Sequence, residues 1–228
     1  TSSVVTIGAG LLAGRTASLV LIVGGVATTV SYSAGGTPAL GSAPFVSFGP
    51  TIGNIGIEGI SYDARNGNFV TVKQDDPAKL SIYNALSFST TAAADAVANI
   101  EYTGANSNSS LFGLNSLSDV AVLGGVNALV GTTAADNLLL LSLDSRKLIE
   151  IDRTSGSILS QFDLSGVTTQ AIEGVTIDEH GTIYLVAEDS GTPNSRLIVL
   201  SAVPEPEAYA LMVAGLAACF VARRRQRG

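Results

Sequence analysis

Three acids stand at the head of short apolar segments and are the side chains best suited to chemistry. They are Glu58 in Ile57-Glu58-Gly59-Ile60-Ser61-Tyr62-Asp63, Glu173 in Ile172-Glu173-Gly174-Val175-Thr176-Ile177-Asp178, and Asp119 in Leu117-Ser118-Asp119-Val120-Ala121-Val122. Carboxylate oxygens are the ligands a hard cation such as calcium prefers. Acids brought together from separate segments would therefore make a metal site, with Asp63, Asp178 and Glu188 as a second tier. Crowded without a cation, they would raise one another's pKa values. The same residues also fit an architectural role, in which their oxygens accept neighbouring backbone amides or pair with arginines at the corners of the fold. Asp63 and Asp178, each ahead of a Gly-containing turn, suit that role best.

Other chemistry has less support. No Gly-x-Ser-x-Gly elbow is present, so a serine esterase has no basis in the sequence. His180 is the only histidine and lies beside Gly181, which reads as a surface turn. Arg146 and Lys147 beside Asp144, and Arg196 beside Asn194-Ser195, read as charged protection of strand edges. Gly8-Ala9-Gly10-Leu11-Leu12-Ala13 fits a loose dinucleotide fingerprint, but no acid follows at ribose-binding distance and no βαβ alternation develops. Asn108-Ser109-Ser110 has glycosylation spacing, a short pattern that carries little weight by itself.

The elements that must position the acids are short strands. Candidates are Gly59 to Tyr62, Phe69 to Val72, Leu138 to Ser142, Lys147 to Ile151, Ile158 to Phe162, Val175 to Ile177 and Ile183 to Ala187, separated by Gly-, Asn- and Asp-containing turns. The two Ile-Glu-Gly segments are each followed by an Asp and Gly turn and a second strand. A weaker middle copy starts at Leu117 and contains an insertion around Gly124 to Ala135. Repeats of this size predict an all-β propeller of short four-stranded blades, in which the inner strand of each blade lines a central channel. The repeated acids then converge there. The stretch Ser18 to Ala27 reads as a strand pair about Gly24-Gly25, too short for a membrane span.

Composition narrows the partners. The net charge of −7 and pI near 4.6 argue against nucleic acid. The sole cysteine, Cys219, lies near the C-terminus, so the rest of the chain has neither a disulfide framework nor a Cys-based zinc site. The chain opens at Thr1 without Met or a visible signal peptide and reads as truncated or processed at its N-terminus. The domain reading is a propeller-like domain over 1–201, with 1–50 its least determined part, and a sorting tail over 202–228.

That tail runs Val203-Pro204-Glu205-Pro206, then an apolar segment from Ala208 to Ala222, then Arg223-Arg224-Arg225. It resembles the PEP-CTERM sorting signal of Gram-negative exported proteins. The resemblance implies exosortase as a processing partner. It also implies a precursor anchored in the inner membrane by a short hydrophobic helix, with the arginines on the cytoplasmic side. The mature protein is then periplasmic, at the outer surface or in the extracellular matrix. The segments Ile57 to Asp63, Leu138 to Asp152 and Gln170 to Glu188 resemble the SdiA-regulated (YjiK-like) β-propeller family. That resemblance covers most of Ile52 to Ser201 and implies an exported propeller, with calcium as the cofactor to test and esterase-like or phytase-like relatives. It leaves the first ~50 residues, where a complete propeller would place earlier blades. Two function classes follow: a binding module for a glycan, protein or small molecule, or a calcium-dependent ester or phosphoester hydrolase.

Overall fold

The computed structural model describes residues 16–23, 26–33, 43–49, 55–91, 95–105, 110–189 and 194–201; side chains are described from residue 43 onward. The dinucleotide-like glycines at 8–13, the glycosylation-type Asn108-Ser109 and the tail from 202 lie outside these residues. Among the described residues no helix is long and apolar enough to cross a membrane.

Among the described residues, fourteen strands form four antiparallel sheets. The first sheet contains β1 (Thr16–Val23), β2 (Val26–Ser33) and β3 (Phe45–Ser47), and the second contains β4 (Ile57–Asp63), β5 (Asn68–Lys73), β6 (Lys79–Tyr83) and β7 (Ile100–Thr103). The third contains β8 (Asp119–Val122), β9 (Leu138–Ser142), β10 (Lys147–Ile151) and β11 (Ile158–Asp163), and the fourth contains β12 (Ile172–Ile177), β13 (Ile183–Ala187) and β14 (Arg196–Leu200). Each sheet is a meander in which consecutive strands are neighbours, joined by hairpin-length turns at β1–β2, β4–β5 and β9–β10 and by long connections at β2–β3, β6–β7 and β8–β9. The first strands of successive sheets stand side by side: β1 packs on β4, β4 on β8, and β8 on β12. Radial sheets with adjacent inner strands are the blades of a β-propeller, the expected fold.

The strand pair predicted over Ser18 to Ala27 is β1 and β2, paired from Val23↔Val26 to Thr16↔Ser33 and longer than the sequence suggests. It opens the earlier blade expected in the first 50 residues. Two bridges, Phe45↔Ser89 and Ser47↔Asp95, tie β3 to the β6–β7 connection of the next blade. The insertion at Gly124 to Ala135 folds as two short 3-10 turns, Asn127–Leu129 and Thr133–Asp136, between β8 and β9.

Apolar side chains cement neighbouring blades face to face. Val70, Val72, Leu80 and Ile82 of the second sheet meet Val120, Leu138, Leu140, Ile149 and Ile151 of the third. The other face of the third sheet, with Leu139, Leu141 and Leu148, meets Val175, Leu185 and Ala187 of the fourth. A strand covered on both faces reads as an unbroken apolar run, and all five residues of β9 are buried.

Candidate functional site

The repeated Ile-Glu-Gly segments are β-bulges. In the second sheet the register passes from Ile57↔Lys73 to Gly59↔Val72, and in the fourth from Ile172↔Ala187 to Gly174↔Val186. Glu58 and Glu173 are therefore the extra residues of their strands, without a cross-strand partner, and both side chains stand exposed. Antiparallel pairing brings the end of β13, and with it Glu188, to the same mouth. The Glu173 carboxyl is held above the usual carboxylate range, first by desolvation and then by the negative charges of Glu188 and Glu58.

Asp119 departs from this pattern. It pairs directly with Leu141, so β8 carries no bulge there. Its carboxylate turns between the neighbouring inner strands: Oδ1 accepts the Val120 amide at 2.8 Å and Oδ2 accepts the Val175 amide of β12 at 2.8 Å. On the other side lies Gly59 of β4, where a Cβ would stand 2.7 Å from the Asp119 Cα and 2.9 Å from Val72 Cγ2. Burial pushes the Asp119 carboxyl up to about 7, against the opposing pull of the two amides.

The expected convergence of Glu58, Asp119 and Glu173 on one cation is not what the geometry provides. Two of the acids are exposed on bulges, while the third has both oxygens engaged by amides. Among the described residues no three Asp, Glu, His or Cys side chains are placed to hold a metal ion, so the set does not fit calcium.

The second tier separates further. Asp63 is buried at the far end of β4 and belongs to an ion-pair network. Arg65 donates to it through Nε at 2.9 Å and Nη2 at 2.7 Å, and Arg153 Nη1 lies 3.5 Å away. Arg65 also reaches Asp136 at 2.9 Å and the Ala135 carbonyl at 2.8 Å, joining the second blade to the insertion of the third. Burial alone would raise the Asp63 carboxyl, but the hydrogen bonds and charge of Arg65, with the charge of Arg153, hold it below the usual range. Gly124 leaves room for this pairing, since a Cβ there would come within 2.8 Å of Asp63 Oδ1 and of the Arg65 guanidinium carbon. Asp63 is thus structural rather than a ligand.

Asp178 makes the corresponding turn. Its Oδ1 accepts the amides of His180 at 2.9 Å and Thr182 at 2.8 Å, as Asp63 Oδ1 accepts that of Arg65 at 3.1 Å. Its Oδ2 accepts the Tyr184 hydroxyl at 3.0 Å. His180 is a surface residue, with its ring 3.6 Å from Glu179. Arg146, expected on a solvated edge, instead has its Nη2 buried. Sequence reading passed over Arg65 and Arg153; the Asp-x-Arg spacing at the turn was the available signal for the first, and nothing local marks the second.

At the Asp63 end the inner strands leave an open pocket of about 250 Å³, lined by Ser61, Tyr62, Arg65, Val122, Gly124 and Thr176 among others. Tyr62 is 53% exposed and packs at a 43° tilt against Phe69, with ring centroids 4.8 Å apart. The pocket thus presents hydroxyls, an aromatic face and the edge of a guanidinium to solvent.

No curated protein matches the chain. Among solved structures, a glucose dehydrogenase is similar at 14% identity and a TM-score of 0.41, covering 65% of this chain and 41% of its own. A chain of a nidogen/laminin complex is similar at 15% identity and a TM-score of 0.45, covering 79% of this chain and 60% of its own. A glutaminyl cyclase from Myxococcus xanthus is similar at 14% identity and a TM-score of 0.34, covering 77% of this chain and 84% of its own. The chain therefore spans about two fifths to three fifths of the first two. A family model for the PEP-CTERM protein-sorting motif matches residues 202–225, which implies export, sorting at the envelope and processing by exosortase. Both bulged Ile-Glu-Gly strands, β4 and β12, fall inside a second match, over residues 33–194, by which the chain belongs to the SdiA-regulated family.

Proposed function

We propose that the chain is an exported, surface- or envelope-associated binding module, delivered by its C-terminal motif through an inner-membrane precursor in a Gram-negative bacterium. The observation that carries this reading is the commitment of the buried acids. Asp119 holds two inner strands through amide hydrogen bonds, and Asp63 holds two arginines. The pocket beside Tyr62 is the candidate site for an extracellular glycan, protein or small molecule. A panel of extracellular polysaccharides and matrix proteins tests it. Binding by the full chain that weakens about tenfold in Tyr62→Ala is the expected outcome, in line with aromatic anchors elsewhere. Binding that ignores Tyr62 would remove the pocket from the reading.

The competing reading is a calcium-dependent ester or phosphoester hydrolase. It has in its favour the mutual repulsion of Glu173, Glu188 and Glu58 at one mouth, although these glutamates form no coordinating set. A specific ligand raises melting temperature by linkage, so calcium titration followed by melting separates the two. A flat response with no turnover of ester and phosphoester panels is expected. A saturable rise accompanied by turnover would establish the hydrolase instead.

A further inference from the structure

The pocket at the Asp63 end is rich in donors and poor in acceptors. Its one carboxylate, Asp63, is already engaged: Oδ1 accepts the backbone amide and Nε of Arg65, and Oδ2 accepts Arg65 Nη2 at 2.7 Å with Arg153 Nη1 at 3.5 Å. Two guanidiniums against one acid leave this wall a surplus positive charge. Asp136 offsets it from the solvent side, 2.9 Å from Arg65 with its side chain 57% exposed, and an exposed pair of that kind holds weakly. Asp178 and Glu179, which follow β12 at the same end, face other partners. The first accepts the amides of His180 and Thr182 and the Tyr184 hydroxyl, and the second lies 3.6 Å from the His180 ring.

Free donors surround the Arg65 wall. Ser61 Oγ accepts the Val122 amide at 3.1 Å, which leaves its proton for a ligand. Among the described residues, Arg65 Nη1, the Tyr62 and Thr176 hydroxyls and the backbone amides of Gly124 and Gly125 make no hydrogen bond, and all of these residues line the pocket. A set of donors beside a guanidinium matches a group with charged acceptor oxygens, and a single surplus charge matches a carboxylate better than a phosphate dianion. The exposed Tyr62 ring gives the adjoining apolar face of a ligand somewhere to lie. A volume of about 250 Å³ falls just below the roughly 300–1,000 Å³ of pockets for drug-sized ligands, so it admits one ring of a longer chain. We infer that this pocket takes a uronic acid residue of an acidic polysaccharide, its carboxylate toward Arg65 and the Gly124-Gly125 amides and its ring against Tyr62. The inference rests on the binding-module reading above and names the ligand class of the same pocket. The chain's net charge of −7 repels such a polymer at long range, but that repulsion is screened beyond about 8 Å at physiological salt, so the local donors decide.

Calorimetric titration of the full chain in mild detergent, with polygalacturonate and with its carboxyl-reduced form, tests this. The reduced polymer is expected to bind at least about tenfold more weakly, as loss of a charge-assisted hydrogen bond implies. Asp136→Asn removes the acid that competes for Arg65, so it should tighten polygalacturonate binding about threefold and leave the reduced polymer unchanged. Thr176→Val should weaken it. These two variants carry the test even where Arg65→Gln, which strips Asp63 of its main partner, fails to fold. Equal affinity for the two polymers, or no response to Asp136→Asn, overturns the inference, as does preference for the C-terminal carboxylate of a peptide. Tyr62-dependent binding of another ligand, with neither polymer bound, overturns it while sparing the binding-module reading. Absence of any Tyr62-dependent binding sinks both.

Discussion

Asp119 and Asp63 respond to pH in opposite directions. The folded Asp119 carboxyl titrates near 7, above its value of 3.8 in an open chain, so the folded state holds the proton more tightly. Its contribution is therefore most favourable at low pH and declines as pH rises from about 4 to about 7. Asp63 is held below its ordinary 3.8 by Arg65 and Arg153, so its stabilisation is present above that value and is lost as pH falls through the lower folded value. Denaturant unfolding should show the native chain more stable at about pH 5 than at about pH 8 by on the order of 2 kcal/mol, and Asp119→Asn should flatten that difference. An undiminished slope in the variant would assign the effect elsewhere. Asp63→Asn should cost about 3 kcal/mol by leaving arginines without their buried partner. Asp136→Asn, at the exposed end of the same network, should cost less than about 1 kcal/mol.

The two bulges make a second comparison, at the level of the strand. Gly59 and Gly174 hold equivalent places after their glutamates, yet their surroundings differ. At Gly174 the nearest atoms to an added Cβ are Val186 Cβ at 3.5 Å and Asp119 Oδ2 at 3.9 Å, which are ordinary contacts. At Gly59 the added Cβ would run into the backbone of β8, which cannot swing aside. Gly59→Ala should therefore destabilise by about 2 kcal/mol or more, while Gly174→Ala stays within about 1 kcal/mol. Equal melting shifts would refute this asymmetry. The same strands mark what sequence reveals. Leu138–Ser142 and Lys147–Ile151 are legible because strong apolar runs flank a turn containing Asp144 and Ser145. Strand β6 is less so, since Lys79-Leu80-Ser81-Ile82-Tyr83 alternates over only five residues after a proline turn, and β14 follows directly on Asn194-Ser195. The acids themselves are plain in the repeat, but their destinations depend on partner register. Glu58 has no partner where Asp119 faces Leu141, and a single sequence does not contain that difference. Nor does it place Arg153 against Asp63, 90 positions away.

For the whole molecule, the exported propeller and its sorting motif adjoin closely. β14 ends at Leu200 and the first proline of the motif is Pro204. Four residues at full extension span about 14 Å, little more than the width of one helix. A processing enzyme that grips Pro204-Glu205-Pro206 therefore works against the rim of the last blade and has to accommodate β14 as well as the motif. A longer tether is then expected to speed the release of the chain. Inserting a Gly-Ser spacer after Ser201 should speed maturation, read as the rate at which the shortened C-terminus accumulates by mass spectrometry in an exosortase-bearing host. A spacer without effect would mean that the enzyme reads the tail clear of the blade.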